Sequence, residues 1–141
     1  MNHINITLPK EVIEDYLKYG LLGFAEIHGI QENYEFYEEV IRQLPVVPNL
    51  AFEITEDEIE TVEHAIRGEK YDPNKIGKDF RINKQLIDFI KSFKKEYPDK
   101  KIFYFDIKNK DTQLLSSKKF SRDELMANNF LDQFDAPTVV I

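Results

Sequence analysis

Asp106-Ile107-Lys108 closes an apolar run, Ile102-Phe103-Tyr104-Phe105, and sets an acid and a lysine at the end of a predicted strand. A carboxylate there can hold a divalent ion while the lysine steadies a water or a phosphate, the chemistry of a metal-dependent nuclease or phosphodiesterase. Pro98-Asp99 stands upstream and completes a nuclease-like string. A strand rises about 3.3 Å per residue, so Asp99 and Asp106 would lie about 23 Å apart, and one metal cannot bridge them. Asp79, Asp111 or Glu53 would have to supply the second acid.

Other reactive patterns fail on spacing. No Gly-x-Ser-x-Gly turn exists, and His3, His28 and His64 fall in separate segments, so no nucleophile has an evident base. Glu60-x-x-Glu63-His64 has the spacing of a zinc-binding helix with its first His replaced by Glu, and reads as a solvated face. Gly77-Lys78 is followed by Asp79 instead of Ser or Thr, and Gly20 and Gly23 lack the third glycine of a dinucleotide loop. No cofactor and no metal is expected. The absence of Cys removes disulfides, iron–sulfur clusters and thiol nucleophiles.

Charge is the stronger signal. The 141 residues carry 19 Lys plus Arg against 26 Asp plus Glu, net −7. Residues 1–66 hold 14 acidic and 3 basic residues, residues 67–122 hold 8 acidic and 16 basic, and residues 123–141 hold 4 acidic and none basic. Such blocks predict a molecule with an acidic and a basic side. Glu32, Glu35, Glu38 and Glu39 crowd one segment, and Glu53, Glu56, Asp57, Glu58, Glu60 and Glu63 another. Together they would steer a basic partner. Tyr19, Tyr34, Phe36 and Tyr37 are candidate aromatic anchors amid that charge, and Phe36 falls off its helix's apolar stripe. The basic middle keeps a nucleic-acid site open: Lys and Arg from 81 to 110 could track phosphates, and Tyr71, Tyr97 and Tyr104 could stack bases. The net charge and the scarcity of Arg disfavour it.

The elements that must position these residues follow from periodicity. Ile4, Ile6 and Leu8 alternate with polar residues and predict a strand over 3–8. Pro9 opens a helical spacing that runs to Ile27, with a break at Gly20 or Gly23. A second helix spans 31–44, and residues 50–54 read as a strand. Thr55 and Glu58 form a capping box and Gly68 closes the helix 56–67. Residues 68–79 read as a long loop, and 80–97 as a strongly amphipathic helix with Lys84, Lys91, Lys94 and Lys95 on its polar side. The strand 101–108 turns at 108–111 into a hairpin partner, 112–116. Ser121 and Glu124 cap a helix to Phe134, and 137–141 is a last strand.

Hydrophobic residues make up 42% and aromatics 13%, enough for a packed core. The expectation is an α+β fold: one compact domain over 1–141, about five helices on a small mixed or antiparallel sheet. No apolar run approaches the ~20 residues of a membrane span, and no signal peptide is evident, so a cytoplasmic location is expected. The expected function is binding of a basic partner protein, in the manner of inhibitors and immunity proteins, with Glu56, Glu60, Glu63, Glu35, Glu38 and Phe36 as the partner-binding set. The alternatives are a nuclease using Asp106 and Lys108, and a small-ligand or nucleotide domain using the 68–79 loop.

Overall fold

The structure, a computed structural model, describes residues 6–24, 32–72 and 82–141. His3, His28, the Gly77-Lys78-Asp79 triplet and most of the 68–79 loop lie outside them, as does the first half of the strand expected over 3–8, of which residues 6–8 are irregular.

Chain order runs α1 (Lys10–Tyr19), β1 (Leu21–Gly23), α2 (Glu32–Gln43), β2 (Asn49–Phe52), α3 (Glu56–Ile66), α4 (Lys84–Glu96), β3 (Ile102–Tyr104), α5 (Thr112–Ser116), α6 (Arg122–Leu131) and β4 (Thr138–Val140). The four strands form one sheet in the order β1-β4-β2-β3, and every pairing is parallel. This corrects the expected mixed or antiparallel sheet: the fold is α/β, with six α-helices among the described residues. The hairpin is also overturned. Residues 112–116 form α5, and β3 returns through α5 and α6 to the centre of the sheet.

Local chemistry explains the boundaries. Gly20 takes the left-handed conformation (φ 67°) and stops α1, its N–H donating to the Tyr16 carbonyl, so the chain turns at once into β1. α3 ends in a Schellman motif. Gly68 (φ 73°) donates to the Ala65 carbonyl, and the next amide, of Glu69, reaches back to His64. Asn83 caps α4 by accepting from the Leu86 amide, and Ser121 caps α6 by accepting from Glu124. Thr55 behaves differently from the expected box: its hydroxyl donates to the Glu58 carboxylate and makes no bond to the helix backbone.

The sheet is covered on both faces. Leu50 and Phe52 meet the buried side chains of α2, α3 and α4, including Tyr37, Val40, Val62, Phe89 and Ile90. Phe103 points the other way and meets Phe130 of α6 at 5.6 Å, while Phe105 meets the same ring edge-on. Burial on both sides is why the strands read as unbroken apolar runs rather than alternating ones. Among the described residues no helix is long and apolar enough to cross a membrane.

Candidate functional site

Open parallel sheets offer their ligand-binding crevice beyond the C-terminal ends of the strands. Here those ends deliver Glu53, just past β2, and Asp106, just past β3. The Asp106 side chain is fully buried and faces the guanidinium of Arg122 from the first turn of α6, with Nη2 at 2.8 and 3.0 Å from its two oxygens. The same nitrogen reaches Glu53 at 3.3 Å. The Ile107 amide donates to Asp106 Oδ1 at 2.7 Å. Asn129, also buried on α6, donates to the Asp106 carbonyl and to Asp111 Oδ2, each at 3.1 Å.

Asp111 in turn accepts the Lys108 amide at 2.8 Å and holds the 3₁₀ turn Asn109–Asp111. Burial opposes ionisation of its carboxyl. The bonds from Lys108 and Asn129, with the charges of Lys110 and Lys108, outweigh that and keep it below the usual carboxylate range. The turn is pinned from the opposite side by α3: Glu56 accepts the Asn109 amide at 2.6 Å, and Asp57 accepts the Asn109 side-chain amide at 3.2 Å. The cluster locks β2, β3, α3 and α6 together at one corner.

The residues singled out in the sequence therefore separate. Asp106 is buried and held by Arg122, and Lys108 contributes its backbone to the turn; Asp99 sits at the opposite end of β3. Glu63 is half-buried and accepts from the Tyr104 hydroxyl, and burial together with that bond pushes the phenol well above its usual value. That carboxylate is engaged by Tyr104 rather than shared with His64. Among the described residues, no group of three or more His, Cys, Asp or Glu side chains is placed to hold a metal ion. Phe36 is half-buried, its ring meeting Phe24 at 5.3 Å and Tyr37 at 5.9 Å, so it belongs to an aromatic cluster and does not stand out as a free anchor. Glu35 and Glu38 are half-buried on α2, and Arg42 draws in both Glu39 (2.6 Å) and Glu38 (3.8 Å).

α4 packs against both α2 and α3, and its Lys91, Lys94 and Lys95 are exposed. Lys91, Lys94 and Lys95 line a groove with Ile66 and Arg67.

What remains outward is the N-terminal half of α3. Glu56, Asp57 and Glu60 are exposed, the Glu60 side chain at 85%, with its carboxylate 3.8 Å from His64. Asp57 and Glu60 line an open groove with Thr61, His64, Lys70, Tyr71 and Asp72, and Tyr71 is 45% exposed. Sequence patterning alone does not bring Asp57 and Tyr71 into the partner-binding set. Tyr71 reads along the chain as a loop aromatic, and only the return of the chain after Gly68 carries it beside α3. Comparison of the chain with protein-family models, characterised proteins and solved structures finds no match.

Proposed function

We propose that this protein works by binding a basic protein surface through the exposed half of α3, in the manner of a small inhibitor or immunity protein that neutralises its target. The observation that carries this reading is the Asp57–Glu60–Tyr71 groove: two exposed carboxylates beside an exposed aromatic ring. A partner's Lys or Arg can set its charge on the carboxylates and lay its aliphatic stem along the tyrosine. The buried carboxylates of the corner are spent internally, Asp106 on Arg122 and Asp111 on Asn129 and the 108–111 turn, and Asp57 also accepts the Asn109 amide while staying exposed, which supports a binding role over phosphodiester chemistry at Asp106 and Lys108.

The test is capture of partners from host lysate by the tagged chain at low and moderate salt, beside an Asp57→Lys/Glu60→Lys variant. One stoichiometric basic protein, released by salt and lost with the double reversal, is the expected result. Equal capture by the variant rejects this surface. Magnesium-dependent cleavage of nucleic acid that Asp106→Ala abolishes would replace the reading with the nuclease one.

A further inference from the structure

The groove beside α3 contains a histidine. His64 lies one helical turn beyond Glu60, lines the groove with it, and has its side chain 34% exposed. Its Nε2 stands 3.8 Å from the Glu60 carboxylate and 3.9 Å from that of Glu69, which the return of the chain after Gly68 sets against the helix. Those separations exceed a hydrogen bond, so a neutral imidazole gains little from either carboxylate. An imidazolium in the same place forms an ion pair with each. Histidine is the side chain whose charge ordinarily changes between pH 5 and 8.

The charged groups around His64 come from three segments. From α3, Asp57 and Glu60 face the groove, while Glu63 turns away to accept the Tyr104 hydroxyl. From the return after Gly68 come Glu69, Lys70, Tyr71 and Asp72. From α4, Lys84 lies near Tyr71 and is paired with Asp88 at 2.7 Å. Glu69 is already matched by Arg67, whose Nε donates to it at 2.9 Å. Among the described residues Glu60 has no charged neighbour within ion-pair distance other than His64. A proton on His64 is therefore felt chiefly at Glu60, one of the two carboxylates that carry the proposed partner contact.

We infer that His64 sets the pH range in which this groove holds a basic partner, an inference that rests on the function proposed above. With His64 neutral, Glu60 is open to a Lys or Arg of the partner. With His64 protonated, the chain supplies its own cation to Glu60, and the partner's charge must sit beside a like one. Protonation and partner binding thus oppose each other, and by linkage each weakens the other by the same factor. For like charges about one helical turn apart in a solvated groove, that factor is roughly fivefold. Affinity is full above the histidine range and falls as the solution is acidified through it.

The experiment is fluorescence anisotropy of a labelled, end-capped hexa-arginine peptide with the full chain, at constant salt, at about pH 7.5 and about pH 5.5. Arginine stays charged throughout, so the peptide itself does not titrate. The natural chain should bind roughly fivefold more weakly at the lower pH. In His64→Gln the ratio of the two affinities should fall below about twofold, whatever the affinity at the higher pH, with an unchanged far-UV spectrum. Peptide binding near the middle of the range should also release more protons from the natural chain than from His64→Gln. An Asp57→Lys/Glu60→Lys variant separates the switch from the groove. Binding lost in that variant, with equal pH ratios in the natural chain and His64→Gln, overturns the switch and leaves the groove standing. Undiminished binding by the double reversal, or no binding by the natural chain at either pH, rejects the groove and the switch together.

Discussion

The β1 and β3 edges belong to one sheet and have three residues each, yet the outward Tyr104 carbonyl of β3 is capped by Gln133, while among the described residues no side chain caps the outward groups of β1. The difference lies in the segments that flank each strand. β3 leads into α5 and α6, and the end of α6 returns over the edge with Gln133 and Asp135 while Phe130 packs beneath. β1 is preceded by α1, whose Tyr16 is buried with its hydroxyl on the Val46 carbonyl, but whose Leu17 and Tyr19 remain outside. Edge protection is therefore supplied here by tertiary return of a distant segment, not by residues in the strand itself.

That contrast can be broken, most strongly from the closed side. Phe103 is 3% exposed against the α6 rings. Phe103→Ala should cost roughly 3–5 kcal/mol in urea unfolding, by lost transfer energy and the cavity left behind. Asp106→Ala should cost about 2–3 kcal/mol, because Arg122 and the Ile107 amide lose a buried acceptor, with half-exposed Arg122 recovering some solvation. Circular dichroism with denaturant measures both; a loss under about 1 kcal/mol for either would mean that α6 does not clamp β3. Gln133→Ala removes the cap on the Tyr104 carbonyl and should cost about 1 kcal/mol. It also exposes a second edge, so faster amide exchange in β3 and concentration-dependent aggregation are expected.

Acid should loosen the same corner. Asp111 has a folded-state value below its unfolded one of about 3.9, so its contribution is complete above that value and is lost as pH falls through the lower folded value. The unfolding midpoint should drop over that acid window, with a smaller drop for Asp111→Asn. Equal pH profiles would remove Asp111 as a contributor. The smallest effect belongs to the uncapped edge: Leu21→Lys should change stability by no more than about 0.5 kcal/mol, since the side chain is exposed. A larger loss would show that Leu21 is a core residue.

Much of the fold is legible along the chain. Thr55 and Gly68 bracket the helix 56–67, and the Leu86, Phe89, Ile90 and Phe93 stripe marks α4, because helical periodicity and capping are local properties. Unbroken apolar strands alternating with helices signal parallel pairing, yet the short turn at 108–111 resembles a hairpin more than the opening of a helical crossover. β1 is hidden inside a helix-like spacing, where Gly20 stops α1 without any change in apolar pattern. The site is legible only in composition. Asp106 stands out as an acid after a strand, but its partner Arg122 lies 16 residues on, and Asn129 further still, linked by no periodic spacing.

The sequence by itself determined the longer helices α2, α3, α4 and α6, the caps at Asn83, Ser121 and Gly68, their buried faces and the segregation of charge along the chain, since each depends on neighbours within a few positions. Only the tertiary structure decided that the C-terminal strand enters the middle of the sheet and that α4 packs against both acidic helices. It also decided that Asp106 is spent on Arg122 while Asp57 and Glu60 stay outward. Those outcomes depend on which distant segments meet when both faces of a parallel sheet are buried, and on which polar groups then find partners inside.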